Sequence, residues 1–213
     1  MMKKYIIIFV VAVLSFVACS EDNVDNGGGR NLGERVVPAE AGYFSVLVRT
    51  ADTWSVRSDA EWLTFDNVRG KGDGVFTVYF DSNSSSLSQI RLNRAGRIFV
   101  EHYGAADTLY VKQCGQAVSL AFADDATAVA AAGGEISVPV SCNISGDDTS
   151  RMKFTSSQKW IGSLRFDAVA SEAVFSVGAN TSAADRYADI TVSYVDGWGE
   201  RHISTLSLTQ KGE

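Results

Sequence analysis

Apolar and polar residues alternate with a period of two in most segments after residue 33. In segment 42–48, Phe44, Val46 and Val48 fall on one side of the chain and Ser45 falls on the other. This alternation is typical of β-strands with one buried face. The same period recurs in Phe76/Val78/Phe80, Ala188/Ile190/Val192/Tyr194 and Leu206/Leu208. Turns rich in Gly, Asn, Asp and Ser separate the segments, and the pattern predicts an all-β protein.

The alternating segments occur twice in the same order, which indicates an internal duplication. Residues 37–48 match 129–140, residues 75–78 match 174–177, residues 94–100 match 186–192, and residues 109–115 match 206–212. About seven short strands per unit predict an immunoglobulin-like antiparallel β-sandwich. We therefore expect two tandem sandwich domains, residues 34–116 and 117–213. The junction at residues 116–122 contains no Pro or Gly and predicts a short, stiff connection.

The first 18 residues have a different pattern. Lys3 and Lys4 precede an apolar run that ends at Ala18. This run is shorter than the ~20 residues that span a bilayer, and it is typical of a secretory signal peptide. Its end at Cys19 resembles the lipobox of bacterial lipoproteins, which implies removal of residues 1–18 and acylation of Cys19. The alternative is an ordinary cleaved signal followed by an incidental cysteine.

The segment after Cys19 is acidic and rich in Gly. Ser20-Glu21-Asp22 resembles the export signal with which Bacteroidetes send lipoproteins to the cell surface. The resemblance implies an outer-membrane location, with a lipid anchor and exposure at the surface. Residues 19–33 predict a flexible tether.

Charge and composition narrow the classes of partner. The formal net charge is −6, and 46% of the residues are hydrophobic. An acidic chain without a basic stripe argues against a nucleic-acid partner. It also argues against electrostatic docking to a membrane, so acylated Cys19 is the expected membrane contact.

Two further cysteines follow the predicted anchor. The strand pattern predicts that Cys142 points into a core and Cys114 points outward. The main alternative is a disulfide between them, which an exported protein permits.

Motifs for catalysis, metals or cofactors are not found in the sequence. His102 and His202 fall in the final hairpins of different units, so they cannot form one site within a domain. The chain lacks a Gly-x-Ser-x-Gly elbow, a His-Glu-x-x-His motif and Cys/His metal spacing. We therefore expect no enzyme activity, no metal and no cofactor.

Aromatic side chains are the candidate ligand contacts, because sugars present apolar C–H faces that stack on such rings. Trp54, Trp62 and Trp160 are predicted to be buried. Trp198 lies between two glycines at a hairpin tip, where burial is difficult, so it is a candidate ligand contact. Packing against the neighbouring loop is the alternative for Trp198. Tyr103, at the equivalent hairpin of the first unit, is the second candidate contact.

A short motif at residues 107–109, Asp-Thr-Leu, resembles the acceptor sequence for O-glycosylation in exported Bacteroidetes proteins. The resemblance implies a sugar on Thr108. An ordinary threonine at the start of a strand is the alternative.

The first unit resembles the BACON domain of Bacteroidetes. The resemblance covers the turn at Gly42, Trp-Ser-Val at 54–56, Ser-Asp-Ala-Glu-Trp-Leu at 58–63, Arg94, and Val-Lys-Gln-Cys-Gly at 111–115. The second unit matches at its ends. In its middle, Phe-Thr-Ser at 154–156 and Trp160 replace the two tryptophan motifs.

The resemblance implies a sandwich fold and an association with glycan utilisation. We expect a non-enzymatic surface lipoprotein that binds carbohydrate, with a polysaccharide or other surface glycan-utilisation proteins as partners. The alternative is a structural spacer or adhesion protein without affinity for glycans.

Overall fold

The computed structural model describes residues 29–102 and 104–213, so the predicted lipid anchor at Cys19 and the candidate contact Tyr103 lie outside the described residues. The described chain folds into strands, apart from one short 3₁₀ helix at Gly146–Arg151. None of its helices has the length and apolar character needed to cross a membrane. The all-β prediction is confirmed.

The first domain is a sandwich of two sheets. The larger sheet has five strands in the order β1-β8-β7-β3-β5, and the smaller has three in the order β2-β6-β4. The strands are β1 Asn31–Val37, β2 Gly42–Val48, β3 Thr53–Ser58, β4 Leu63–Phe65, β5 Arg69–Lys71, β6 Gly74–Phe80, β7 Arg94–His102 and β8 Ala105–Gln113. Alternate residues of both sheets form one core, in which Phe76 and Ile98 are almost fully buried.

The second domain repeats this plan with two four-stranded sheets. Their orders are β10-β16-β15-β12 and β13-β14-β11-β9. The strands are β9 Leu120–Phe122, β10 Ala126–Val129, β11 Gly134–Cys142, β12 Lys153–Ser156, β13 Ile161–Asp167, β14 Glu172–Val177, β15 Arg186–Val195 and β16 Arg201–Gln210. The predicted pair of immunoglobulin-like sandwiches is confirmed.

One strand pair in each domain is parallel, although the sequence predicted antiparallel sandwiches. β1 runs parallel to β8, and β10 runs parallel to β16. The chain passes from β1 to β2, and from β10 to β11, into the opposite sheet. No hairpin therefore forces β1 or β10 to run antiparallel to its neighbour in its own sheet.

The register of the strands corrects one of the sequence matches. Tyr43 pairs with Tyr79 in the first domain, and Glu135 pairs with Ser176 in the second. Residue 79 is therefore equivalent to residue 176, and the match of 75–78 with 174–177 is wrong by two residues. Repeated Val-Phe dipeptides at 75–76 and 174–175 produced the shift.

Both boundaries of the first domain are tied by hydrogen bonds. β1 begins at Asn31, inside the predicted tether 19–33, and the Arg30 N–H donates to Asp107 Oδ1 at 2.7 Å. The last residues of the predicted tether therefore belong to the sandwich.

At the junction between the domains, the Gly115 N–H donates to Asn93 Oδ1 at 2.8 Å and the Ser119 N–H donates to Asn143 Oδ1 at 2.9 Å. β8 ends at Gln113 and β9 begins at Leu120, so residues 114–119 join the two domains, and the stiffness of this connection stays a prediction.

The two cysteines of the domains are free thiols, so the disulfide alternative is wrong. Both are partly buried, whereas the strand pattern predicted one inward and one outward thiol. Cys142 lies at the margin of the second core, near the Ile144 carbonyl.

Candidate functional site

A cluster of arginine, glutamine and tryptophan closes one corner of the first sandwich. Arg94 Nε donates to Gln113 Oε1 at 2.8 Å, and the Arg94 guanidinium lies 4.5 Å from the centre of the Trp62 ring. Gln113 is fully buried, and its Nε2 donates to the Asp81 carbonyl at 2.7 Å. Burial lowers the pKa of Arg94, and the nearby charge of Arg91 adds to this effect. We call Trp62, Arg94 and Gln113 the corner cluster.

The second domain contains the same corner cluster, built from Trp160, Arg186 and Gln210. Arg186 Nε donates to Gln210 Oε1 at 2.8 Å and the guanidinium lies 4.2 Å from the Trp160 ring centre. Both tryptophans are partly buried under an arginine, whereas Trp54 is buried as predicted. Because the arrangement recurs in both domains and each buried glutamine side chain is hydrogen-bonded through both its oxygen and its nitrogen, we assign it a structural role.

Trp198 lies at the contact between the domains. The hairpin between β15 and β16 brings its indole to the first domain, where Nε1 donates to the carbonyls of Arg94 at 3.1 Å and Gln113 at 3.2 Å. The Lys112 ammonium lies 5.8 Å from the ring centre. A side chain on Gly197 would overlap the Asn93 backbone, which explains the glycine beside the tryptophan. The ring is therefore partly buried and is not at a free loop tip.

The same hairpin contains a group of three side chains with metal-ligating atoms, Asp196, Glu200 and His202. Asp196 is buried, and its Oδ1 already accepts the N–H groups of Trp198 and Glu200, both at 2.9 Å. Its Oδ2 lies 3.1 Å from His202 Nε2. The first domain makes a similar contact between His102 and Asp107, at 3.0 Å. Hydrogen bonding within the hairpin thus accounts for the positions of Asp196 and His202.

The remaining predicted site residue, Thr108, lies inside β8 rather than at a strand start. Its N–H donates to the Arg30 carbonyl at 2.8 Å, and its side chain is partly buried. Glycosylation of Thr108 stays a prediction. A polar groove lined by Trp54, Arg69 and His102 runs beside the start of β8 at Ala105.

The outer face of the sheet β2-β6-β4 is apolar and exposed. Tyr43 and Tyr79 pair across the strands with ring centres 6.1 Å apart, and they are 71% and 45% exposed. Leu47 and Val75 form a second exposed pair on the same face. We call these four residues the tyrosine face. The two apolar pairs flank the pair of Ser45 and Thr77, and exposed large apolar side chains of this kind often mark a contact surface.

The equivalent face of the second domain is polar. Glu135 pairs with Ser176, and Pro139 pairs with Glu172. Arg165 Nη2 lies 3.9 Å from Glu135 Oε2. The duplication thus preserved the corner cluster but not the tyrosine face.

A second feature that distinguishes the first domain is the groove between β1 and β2, which we call the edge groove. Its volume is about 490 Å³. Phe44, Val46, Val48, Val100 and Leu109 line its floor. Arg30, Arg35 and Arg49 lie on its rim.

The sequence analysis missed both the tyrosine face and the edge groove. Tyr43 precedes Phe44 and Tyr79 precedes Phe80, so the period of two already placed both tyrosines outward. That signal was available. The groove depends on which strands leave their edges unpaired, and a single sequence does not give this information.

Comparison with protein-family models gave no match, and comparison with curated proteins also gave none. Solved structures resemble the chain at low similarity. A Bacteroides ovatus GH5 xyloglucanase in complex with a XXXG heptasaccharide has a TM-score of 0.34 at 16% identity, over 45% of this chain and 20% of that one.

Two further structures contain several domains in a row. A three-immunoglobulin-domain structure of titin I67–I69 has a TM-score of 0.33 at 12% identity, over 87% of this chain and 63% of that one. Protocadherin gamma B7 extracellular cadherin domains 1–4 have a TM-score of 0.36 at 13% identity, over 75% of this chain and 41% of that one. This chain therefore spans less than two thirds of each of the three structures. These similarities concern the fold alone.

Proposed function

We propose that this chain is a non-enzymatic surface lipoprotein of the BACON type that binds polysaccharide through the tyrosine face. Acyl groups on Cys19 hold it on the outer membrane. The exposed pair of Tyr43 and Tyr79 is the observation that supports carbohydrate binding most directly.

The chemistry of the tyrosine face suits a sugar chain. Phenol rings offer apolar surface to the C–H faces of sugars, and their hydroxyls remain available for hydrogen bonds. Ser45 and Thr64 are exposed beside the tyrosines and add two hydroxyl groups. The face contains no pair of carboxylates, and glycoside hydrolysis normally requires such a pair. Binding without turnover is therefore the function that these side chains support.

Affinity electrophoresis in gels that contain soluble β-glucans, xylans, mannans or pectins tests this proposal. We expect at least one polysaccharide to retard the chain. Changing Tyr43 and Tyr79 together to Ser should abolish the retardation, because truncation of a central aromatic contact costs ~2 kcal/mol or more in binding. Tyr187→Ser is the matched control, since Tyr187 is 66% exposed but lies in the second domain.

If a polysaccharide still retarded the Tyr43→Ser/Tyr79→Ser variant, the binding site would lie outside the tyrosine face. The absence of retardation by every polysaccharide would reject carbohydrate binding. A loss in Tyr187→Ser equal to that in the double variant would indicate a general change of surface.

The contact made by Trp198 favours a second candidate function, a spacer of fixed geometry. Its indole N–H joins two backbone carbonyls of the first domain, so the hairpin resists rotation between the domains. Trp198→Ala should leave both domains folded and widen the distribution of interdomain orientations. Residual dipolar couplings measure that distribution, and unchanged couplings would reject the spacer candidate.

A further inference from the structure

The edge of β2 lacks a hydrogen-bonding partner within the described residues. β2 is the outermost strand of its sheet. The Thr77 N–H donates to Asp66 Oδ1 at 2.7 Å, and the Thr77 carbonyl accepts the Asp66 N–H at 3.3 Å. Thr77 thus uses its backbone groups on the β4 side, so its partner Ser45 must turn its own groups away from β6. By alternation, the backbone groups of Leu47 and Arg49 also face the open edge.

The second domain covers the equivalent edge with a strand of its own. β9 pairs antiparallel with β11 from Val140 to Cys142, which correspond to Val48 to Thr50. The Ala123 N–H donates to the Pro139 carbonyl at 3.0 Å. Phe122 on β9 is 6% exposed and belongs to the second core. One strand with a bulky apolar side chain therefore completes this side of the sandwich.

In the first domain, the edge groove occupies the position that β9 and Phe122 fill in the second. Its floor is apolar, and Val46 on that floor is only partly buried. An added strand would pair with Leu47 and Arg49 and place a side chain on this floor. Strand addition of this kind combines backbone hydrogen bonds with pockets for alternate side chains.

The charge on the rim selects the type of strand. Arg30, Arg35 and Arg49 lie on the rim, and none of them forms an ion pair with another residue of the described chain. The carboxylates nearby are already engaged: Glu34 pairs with Lys112 at 2.9 Å, and Asp107 lies 3.0 Å from His102. A basic rim on an otherwise acidic chain favours an acidic occupant.

We propose that the edge groove binds an extended, acidic peptide segment of a partner protein, which adds to β2 as an antiparallel strand. A bulky apolar side chain of the segment takes the place that Phe122 has in the second domain. In the register of β9, its carboxylates lie beside Val46 and Ser45, where the Arg35 guanidinium lies 4.4 Å from the centre of the Phe44 ring.

The segment that covers β11 provides a probe of this chemistry. Residues 118–125, Val-Ser-Leu-Ala-Phe-Ala-Asp-Asp, combine the apolar strand with two carboxylates. A fluorescent peptide of this sequence is titrated against residues 20–213, and binding is followed by anisotropy. Hydrogen exchange should show fast exchange of the Leu47 and Arg49 amides without the peptide and slower exchange with it.

Leu47→Pro removes the amide that the added strand needs. The second domain has Pro139 at the equivalent position of a folded strand, so the substitution is compatible with the sandwich. Leu47→Thr is the matched control because it keeps the amide. We expect peptide affinity to fall about fivefold in Leu47→Pro, the loss expected for one hydrogen bond, and less than about twofold in Leu47→Thr.

Four results would overturn the proposal. The first is no binding of the peptide, and the second is equal binding by the two Leu47 variants. The third is unchanged affinity for a peptide in which Asn replaces both Asp residues. Binding to residues 29–213 but not to residues 20–213 would also overturn it, because the chain itself would then compete for the groove.

Discussion

Arg94 and Gln113 in the first domain meet in the same way as Arg186 and Gln210 in the second, with 2.8 Å between donor and acceptor in each pair. By contrast, Tyr43 and Tyr79 face solvent where the second domain has Glu135 and Ser176. The corner cluster was retained in both domains after the duplication, whereas the side chains on the outer faces changed. The side chains that distinguish the domains are therefore better candidates for function than those that they share.

The two domains also differ at the edges of their sheets. β11 is covered by β9, whereas β2 leaves its outer edge open among the described residues. Trp198, in turn, belongs to the second domain and binds the first. The first domain thus has the tyrosine face and the open edge of β2, and Trp198 of the second domain contacts it.

The largest expected effect is the loss of unfolding free energy when one buried aromatic ring is removed from each core. Phe76 and Phe175 are 1% and 0% exposed. Phe76→Ala and Phe175→Ala should each lower the free energy of unfolding of their own domain by ~3–5 kcal/mol, because each leaves a cavity. Hydrogen exchange at Ile98 and Ile190 reports on the two domains separately. Loss of protection in both domains from either substitution would show that the domains unfold as one unit.

Substitution of the glutamine in each corner cluster should lower the free energy of unfolding by a smaller amount, which should differ between the domains. Gln113 Nε2 donates to one carbonyl, whereas Gln210 Nε2 donates to the carbonyls of Ala130, Ala131 and Gly178, at 3.2, 3.0 and 2.9 Å. Substitution by Met removes these donors and keeps the volume. We expect Gln113→Met to cost about 2 kcal/mol and Gln210→Met to cost more, because each unsatisfied buried group costs ~1–3 kcal/mol. Equal losses in chemical denaturation would contradict this order.

Acid sensitivity should distinguish one carboxylate of the first domain from one of the second, at a smaller scale. Burial opposes a low pKa for Asp59, but hydrogen bonds from the Arg97 backbone and side chain outweigh it and lower the pKa of Asp59. The Lys211 side chain lowers the pKa of Asp185 in the second domain.

A carboxylate with a lowered folded-state pKa stabilises the fold above its unfolded pKa of ~3.9, and this stability is lost as the pH falls through the folded pKa. Asp59→Asn should reduce this acid loss in the first domain alone, and Asp185→Asn should do so in the second. Both effects should be small, since both ion pairs are exposed to solvent and screened. Unfolding measured between about pH 5 and 2 gives the comparison. An equal change in both domains from one substitution would contradict it.

The smallest expected effect is that of a reducing agent. Cys114 and Cys142 are free, one in each domain. Dithiothreitol should leave the melting temperature unchanged, and two thiols should react with a thiol reagent after unfolding in the chain that lacks Cys19. A decrease in melting temperature on reduction would indicate an oxidised form.

The period of two was sufficient to predict the fold, because every core strand has one buried face. It identified Phe44 and Ile190 as inward positions, and the repeated Arg and Gln blocks predicted two copies of one sandwich. It did not predict the partner of Trp198, since the two carbonyls that it binds are backbone groups of another domain. A two-residue error in one match also hid the equivalence of Tyr79 and Ser176, which only the strand register showed.

The parallel pairing of β1 with β8 has a mechanical consequence. If the chain is held before Asn31 and pulled beyond Gln113, the two strands are drawn past each other along their length. Their rungs from Glu34↔Tyr110 to Val37↔Gln113 then carry the load together rather than one after another. β10 and β16 repeat this geometry in the second domain. Tension along a tethered chain would thus meet two shear-loaded ladders in series, and single-molecule pulling should record two separate rupture events.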